Sequence, residues 1–370
     1  MKFSCEKSIL QSAVNTASRA VAPKSSIPAL EGVLLQAKTA LTVSGYNMNT
    51  GIRTEVEASV TEEGSLVLSA RLLADIIRRL PDDVVAFSSD ENLNVTLICG
   101  DTVYDNIQAL SAADYPELPE VEDEFSIQIQ QNVLRAMISE TSFAVSSDET
   151  RPIHTGSLFE ISENTLTVVS VDGFRLALRR EPLESAGSGA FRFVAPGAAL
   201  NEVEKICEDV EDPIAITLGK RHLLFEAGKT QLICRRLEGE FLDYKTAIPR
   251  SNPIRITAGT KTLIDSIDRV SVVVSDKQKS PVRCIFQKDQ VLLSAKTAIG
   301  EAKDICRVSG DGDGLEIGFN NRYLMEALKY APADQVCLEL NTGISPCVIT
   351  PVEGEEKFLY MVLPVRLKNS

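Results

Sequence analysis

Two histidines occur in the 370 residues, His154 and His222, and neither has a cysteine or carboxylate beside it at metal-ligand spacing. No metal site and no general base is therefore expected from them. The eight cysteines (Cys5, Cys99, Cys207, Cys234, Cys284, Cys306, Cys337, Cys347) stand singly with no C-x-x-C pair, so they read as small buried hydrophobes. Ala227-Gly228-Lys229-Thr230 has the tail of a phosphate loop, but the first glycine that loop needs would be residue 223, which is Leu223. A hairpin turn is the better reading. Asp311-Gly312-Asp313-Gly314 has the start of a calcium loop, but the closing glutamate would be residue 322, which is Arg322. Turn chemistry explains it more simply. No G-x-S-x-G elbow, H-E-x-x-H helix or G-x-G-x-x-G loop is present, so an enzyme reading has no nucleophile to start from. The expectation is a protein without catalysis, cofactor or metal. An enzyme built on an unmarked carboxylate pair would instead show a deep polar pocket with shifted carboxylates.

The elements that carry these residues belong to a globular chain. Hydrophobic residues make up 44% and mean hydropathy is +0.01, enough to build two or three cores. Met1-Lys2-Phe3-Ser4-Cys5-Glu6-Lys7 opens no apolar run of signal-peptide length, and no stretch approaches the roughly 20 apolar residues of a membrane span. A cytoplasmic protein with no membrane partner is expected. The net charge of −14 argues against a surface that grips nucleic acid everywhere, because neutralising phosphates takes clustered Lys and Arg.

The chain repeats itself. Helical patterns begin at Ser8-Ile9-Leu10, Asn132-Val133-Leu134 and Lys261-Thr262-Leu263, with the leucines 124 and 129 residues apart. Leu73, Leu200 and Leu324 mark a second helix in each unit at intervals of 127 and 124. The pairs Asp114-Tyr115 and Asp243-Tyr244 lie 129 apart. Between the helices run alternating β-branched stretches such as Leu166–Val171, followed by Asp172-Gly173, which predicts a type I′ hairpin turn. Each unit thus reads strand, helix, strands, helix, strands. Two helices cannot cover both faces of so much sheet, so antiparallel strands with a solvated face follow, an α+β fold. Boundaries fall at the acidic 120–124 run and at 249–253, giving repeats of 1–123, 124–251 and 252–370.

Several short segments together resemble the bacterial DNA polymerase III beta subunit, the sliding clamp family. They are Met1-Lys2-Phe3, Ile27-Pro28-Ala29-Leu30, Ala112-Ala113-Asp114-Tyr115-Pro116, Arg151-Pro152-Ile153, Ser170–Ala177, Gly318-Phe319-Asn320 and Leu363-Pro364-Val365-Arg366-Leu367. The resemblance covers the whole chain. It implies three clamp domains, each with two helices packed on antiparallel sheets, and a homodimer closing head to tail into a ring around duplex DNA. Twelve helices about 10 Å wide would leave a hole of about 28 Å. The implied partners are DNA held without regard to sequence, the DNA polymerase III alpha subunit, the clamp loader, and other proteins carrying a clamp-binding peptide.

Six helical windows (8–24, 70–79, 131–145, 196–207, 261–275 and 320–331) sum to +4, leaving −18 for the rest of the chain. A mildly basic lining in an acidic shell suits topological linkage. The DNA-binding candidates are Gln11, Asn15 and Arg19, spaced by four, then Lys24, Arg71 and Arg78, with Arg151 from the second repeat. The second helix of repeat two departs from the family by opening with Gly197-Ala198 where relatives carry basic residues, so repeat one is expected to bear more of the contact. By motif match the family's peptide-binding pocket falls on His154, Val171, Gly173, Arg175, Leu176, Leu242, Ala247, Asn320, Tyr323, Met361, Leu363, Pro364, Val365, Arg366 and Leu367. Leu242 replaces a frequent proline and Phe174 a frequent histidine, so altered peptide preference is expected. The 363–367 run could equally be a last edge strand. Val272, Val273 and Val274, facing the Tyr104–Leu110 strand, are the expected dimer contact. The rival reading is an oligomeric repeat scaffold that never meets DNA.

Overall fold

The computed structural model describes residues 1–122, 124–183, 190–274, 280–354 and 357–367. The first repeat runs β1 (Lys2–Glu6), α1 (Lys7–Ser18), β2 (Gly32–Ala37), β3 (Leu41–Tyr46), β4 (Thr50–Val56), β5 (Ser59–Glu62), β6 (Gly64–Ser69), α2 (Ala70–Arg79), β7 (Val84–Ser89), β8 (Asn94–Cys99), β9 (Thr102–Gln108) and β10 (Leu110–Ser111). The second runs β11 (Phe125–Gln130), α3 (Gln131–Ser142), β12 (Gly156–Ser162), β13 (Thr165–Val171), β14 (Arg175–Pro182), β15 (Phe191–Pro196), α4 (Gly197–Ile206), β16 (Pro213–Leu218), β17 (His222–Ala227), β18 (Thr230–Arg235) and the short α5 (Tyr244–Ala247). The third runs β19 (Ile254–Gly259), α6 (Thr260–Ser271), β20 (Val282–Gln287), β21 (Gln290–Lys296), β22 (Glu301–Ser309), β23 (Leu315–Phe319), α7 (Asn321–Lys329), β24 (Gln335–Leu340), β25 (Cys347–Pro351) and β26 (Phe358–Val362). Three-residue or four-residue 3-10 turns at Pro28–Glu31, Ala112–Asp114 and Pro152–Thr155 complete the set.

Two of the helices, α2 and α7, start at a side-chain cap. Ser69 Oγ accepts from Leu72 N–H at 3.4 Å and Arg78 and Arg79 occupy the last turn of α2, matching the helix dipole. Asn320 Oδ1 accepts from the N–H groups of Arg322 and Tyr323 at the start of α7. The expected window 8–24 is too long: α1 stops at Ser18, and Pro23, which lacks an N–H and clashes with the preceding turn, bars the helix from running on to Lys24.

By contacts the described chain divides into two compact units, Met1–Asn132 with Glu202–Arg236, and Val133–Asn201 with Leu237–Ser370. The first unit holds a five-stranded sheet, β5-β1-β7-β8-β9, and a nine-stranded sheet, β10-β6-β2-β3-β4-β18-β17-β16-β11. Its core packs Phe3, Leu10, Val14 and Ala17 against Leu35, Leu68, Leu73, Ile77, Phe87 and Leu97. The second unit holds a twelve-stranded sheet, β15-β12-β13-β14-β26-β25-β24-β19-β22-β21-β20-β23. There Leu263, Ile267 and Val270 pack on Ile256, Phe286, Leu293, Leu324, Leu328 and Tyr360. At about 1.5–3 kcal/mol for each fully buried large aliphatic or aromatic side chain, these clusters are the main favourable term in each unit. All described strand pairs are antiparallel.

The middle repeat is thus shared. One of its half-sheets joins the first repeat through β4–β18, pairing Thr50 with Cys234 and Thr54 with Thr230. The other joins the third through β14–β26, pairing Arg175 with Val362 and Arg179 with Phe358. The two seams have one register, as the turns before β4 and β14 make clear. Asn47 Oδ1 accepts from Asn49 and Thr50 N–H, and Asp172 Oδ1 accepts from Phe174 and Arg175 N–H. In the third repeat Thr297 Oγ1 accepts from Ile299 N–H. These three turn residues are spaced 125 and 125 apart.

The turn-like motifs found in the sequence are turns here. Gly228 and Lys229 close the β17–β18 hairpin, with Gly228 at φ +55. Asp311 Oδ1 accepts from Asp313 N–H between β22 and β23. All eight cysteines are buried.

Candidate functional site

In the second unit, β13 and β14 carry Val171 and Leu176 opposite each other, and β26 lays Met361 beside Leu176. All three are buried, in one cluster with Leu158, Val169, Phe241 and Tyr244, and Leu363 packs half-buried on its margin. His154 meets Phe241 edge-on, ring centroids 5.4 Å apart. Burial, and after it the charge of Arg151, hold this imidazole below its ordinary value. Leu242 is 42% exposed and Ala247 ends α5 half-buried. An apolar floor with exposed aliphatic edges can take up the anchor side chains of an extended peptide.

A polar group is built around Arg175, which neighbours Leu176 on β14 and so turns to the opposite face of the strand, its side chain only 6% exposed. Its Nε donates to Asp172 Oδ2 at 2.9 Å, an Nη donates to Glu326 Oε2, and the guanidinium lies 4.6 Å from the Tyr323 ring centroid and 5.4 Å from that of Phe143. Glu326 also accepts from Arg322 Nε at 2.9 Å. Burial raises the Glu326 carboxyl, but hydrogen bonds and charge from Arg175 and Arg322 outweigh it and the net shift is downward. Phe174, 57% exposed, stacks on Tyr323 at 5.9 Å. Phe143, Asp172, Phe174, Arg175, Tyr323, Glu326 and Tyr330 line part of a cleft of about 630 Å³.

The turn before Arg175 is not the expected type I′. Its central residues are Gly173 and Phe174 and only Gly173 has positive φ, at +89, because the Asp172 carboxylate captures the two following N–H groups and holds Phe174 in ordinary space. The terminal run is only in part a strand: β26 ends at Val362, Leu363 N–H donates to the Phe174 carbonyl, Pro364 breaks the ladder, and Val365 N–H bridges to Gly318 O at 2.7 Å. Arg366 is exposed and Leu367 half-buried. Asn320 serves as the α7 cap. Asp172, Glu326, Phe143 and Tyr330 were missed from the sequence; the Asp172-Gly173-Phe174-Arg175 spacing and the Arg322-to-Glu326 interval were the available signals.

The DNA-binding candidates lie mainly in the first unit. Gln11 is half-buried on α1 and Asn15 is exposed; Arg19 caps the helix, its Nε 3.9 Å from Glu202. Lys24 is exposed in the loop beyond, not on a helix. Arg71 and Arg78 are exposed on α2, but Arg78 donates to Asp75 at 2.6 Å, so its charge is partly answered. Arg151 belongs to the second unit and is exposed at the cap of the Pro152–Thr155 turn. A side chain at Gly197 would come within 3.0 Å of the Thr155 carbonyl and of Val145, while Ala198 is exposed and uncharged.

The carboxylate with the largest upward shift is Glu140, pushed up to about 7 by burial, which outweighs Arg179, with Glu181 adding repulsion. It shares the Arg179 guanidinium with Glu181. Among the described residues no three His, Cys, Asp or Glu side chains converge as metal ligands would, and no helix is long and apolar enough to cross a membrane.

Comparison with known proteins places this geometry. Residues 1–119, 128–243 and 245–366 match, in order, the N-terminal, central and C-terminal domains of the DNA polymerase III beta subunit. A beta sliding clamp of Staphylococcus aureus is 30% identical over 377 residues, spanning 99% of both chains. The DNA polymerase sliding clamp of Bacillus subtilis superposes with a TM-score of 0.95 at 26% identity over 100% of both chains. The beta subunit of Thermotoga maritima does so with 0.91 at 26%, over 99% of this chain and 100% of that one.

Proposed function

This chain belongs to the DNA polymerase III beta subunit family, the non-catalytic sliding clamps of DNA replication, and from that premise we propose how its residues divide the work. The three repeats, 1–123, 124–251 and 252–370, act as the clamp domains. A homodimeric ring encircles duplex DNA and tethers the polymerase, the clamp loader and other peptide-bearing partners, in the cytoplasm. Gln11, Asn15, Arg19, Lys24, Arg71 and Arg78, with Arg151, supply loose, water-screened phosphate contacts. The cluster around Val171, Leu176, Met361 and Leu363 receives the peptide's apolar anchors, with Arg175, Tyr323, Asn320, His154, Gly173, Leu242, Ala247, Pro364, Val365, Arg366 and Leu367 around it.

The repeated seam supports the ring most directly. Both seams join the last strand of one half-sheet to the last strand of the next, and two such strands are left over. The outer edge of β9 has no described partner, and β22 is unpaired on one side until Val308 and Ser309 meet β19. In two copies, β9 of one can pair with β22 of the other by the same register. Exposed Val103 on β9 and exposed Ile305 on β22, with Val272 at 80% exposure after α6, are apolar surface for that contact. Val273 and Val274 pack instead on their own core.

Carrying the shared register over sets Tyr104 opposite the partner subunit's Ala302, as Leu232 faces Ile52 and Tyr360 faces Ala177. Directly opposed antiparallel residues lie about 4.5–5.5 Å apart at Cα, within disulfide range. The double variant Tyr104→Cys with Ala302→Cys is expected to form a covalent dimer on mild oxidation, seen on a non-reducing gel. A monomer band only, with both thiols still titratable, rules out this register. The DNA reading is tested by loading the protein with a clamp loader onto nicked circular plasmid, raising the salt, then cutting the plasmid. Retention through high salt with release on cutting is expected. Release by salt alone from both forms would favour ordinary electrostatic binding, and no loading at all would favour a scaffold that never meets DNA.

A further inference from the structure

The common turn lets the two seams be compared residue by residue. At the second, Leu363 N–H donates to the Phe174 carbonyl at 2.9 Å; at the first, Arg235 N–H donates to the Asn49 carbonyl at 3.1 Å. Arg235 therefore stands where the peptide site has Leu363, Asn49 where it has Phe174, Met48 where it has Gly173, and Arg236 where it has Pro364. The apolar edge of the site has become polar and basic.

More positive charge gathers at the same place. His222 is the cross-strand partner of Arg235, and Arg236 N–H donates to the Arg221 carbonyl at 3.0 Å. Arg221 and Arg235 are exposed and Arg236 is half-buried, and none of the three is ion-paired among the described residues. Lys220 beside them has only an exposed contact with Glu122 at 3.3 Å, a pair worth little in water. Burial, then the charges of Arg235 and Arg221, keep the His222 imidazole below its ordinary value, as expected with both guanidiniums close by. On a chain of net charge −14, three adjacent guanidiniums without an ion-pair partner among the described residues make a local positive site open to an anion.

We propose that Arg221, Arg235 and Arg236 form a phosphate-binding patch for the DNA backbone, the basic counterpart at the first seam of the peptide pocket at the second. The proposal rests on the sliding-clamp reading, which puts DNA within reach at high effective concentration. Of the residues that hold a peptide's anchors at the second seam, Leu363 has become Arg235 and Leu176 has become Gly51, so apart from exposed Met48 this edge offers mainly charge and hydrogen bonding. Guanidinium forks match phosphate oxygens, and contacts made to the backbone alone carry no sequence information and hold no register. That is what a protein moving along DNA requires.

The test is the salt dependence of binding between the intact dimer and a short fluorescent duplex with a single-stranded tail, read by anisotropy. Three phosphate contacts contribute about 2 to 3 to the slope of log K against log salt. The triple variant Arg221→Gln, Arg235→Gln, Arg236→Gln is expected to flatten the slope by that amount and weaken low-salt binding about tenfold or more, while the triple Lys variant keeps the slope. A slope unchanged from wild type in the Gln variant overturns the proposal. So does a variant that keeps its DNA slope but loses affinity for an oligoglutamate peptide, which would make the patch a site for acidic protein. Binding of a clamp-motif peptide at the second seam, unchanged in all variants, shows that the fold is intact. Failure of the wild type itself to bind this DNA also overturns the proposal, whereas failure of the clamp reading would show as no loading or no retention on circular plasmid, so the two failures are distinguishable.

Discussion

Arg175→Ala is expected to destabilise the protein by about 3 to 5 kcal/mol and to abolish peptide binding at the second seam. The guanidinium is 6% exposed and serves Asp172 and Glu326 together, so its loss leaves the Asp172 carboxylate with only its backbone N–H donors and the Glu326 carboxylate with only Arg322. It also removes the cation from between the Tyr323 and Phe143 rings. The Glu326 carboxyl, now held below its ordinary value by Arg175 and Arg322 against the opposing effect of burial, should titrate higher in the variant. A depressed carboxylate stabilises the fold above its unfolded value and loses that contribution as pH falls through its folded value. Wild type should therefore weaken on acidification in a way the variant does not. Arg175→Lys keeps the charge but not the planar fork, and should recover only part of the stability. Arg175→Ala combined with Glu326→Gln should be less destabilised than Arg175→Ala alone, because one stranded charge is gone. Urea unfolding and peptide titration at fixed protein concentration measure both effects. A single Ala variant within about 1 kcal/mol of wild type would mean that the buried pairs contribute nothing net.

Glu140→Gln is expected to act in the opposite direction, and only above mildly acidic pH. Glu140, Arg179 and Glu181 have side chains 13%, 12% and 16% exposed, with Glu140 Oε2 3.1 Å from Arg179 Nη1. One guanidinium answers two carboxylates, and burial pushes Glu140 up to about 7, with the nearby Tyr360 ring adding to its enclosure. The folded protein then keeps a proton that the unfolded chain releases at about 4.5, so stability falls as pH rises between those values and the full cost is present above about 7. At about 1.4 kcal/mol per pH unit, that cost is about 3 kcal/mol. Wild type and Glu140→Gln should have similar urea midpoints near pH 4.5 and diverge towards pH 8, with the variant more stable. Parallel curves across that range would show that Arg179 holds Glu140 ionised throughout.

Much of the architecture was legible before any coordinates. The six helices begin within a residue or two of their expected starts because their signals are local: leucines at helical spacing mark their buried faces, and Ser69 and Asn320 cap α2 and α7. The antiparallel sheets, the turn at Gly228-Lys229 and the burial of all eight cysteines were read from the same kind of pattern. Ends were harder to place than beginnings. Nothing in the polar periodicity of Gln11, Asn15 and Arg19 says that α1 stops at Ser18, and Lys24 consequently lies in a loop. At 172–175 the dipeptide preference for a type I′ turn lost to the Asp172 carboxylate, whose side-chain hydrogen bonds no dipeptide rule includes.

The sequence by itself determined that three copies of one strand–helix–strand pattern follow one another, that no G-x-S-x-G, H-E-x-x-H or G-x-G-x-x-G motif accompanies them, and which short segments resemble a clamp. These depend on residue type and spacing along the chain, which local propensity and periodicity report directly. Only the tertiary structure decided that the middle repeat gives one half-sheet to each neighbour, that Arg175 is neutralised from two different elements, and that Arg235 occupies the place of Leu363. Glu326 is 151 residues from Arg175, and Cys234 is 184 residues from its strand partner Thr50. Pairings at such separations are selected by which sheet edges remain open once the local elements have formed, and an open edge is a property of the assembled fold that has no signature in any single segment.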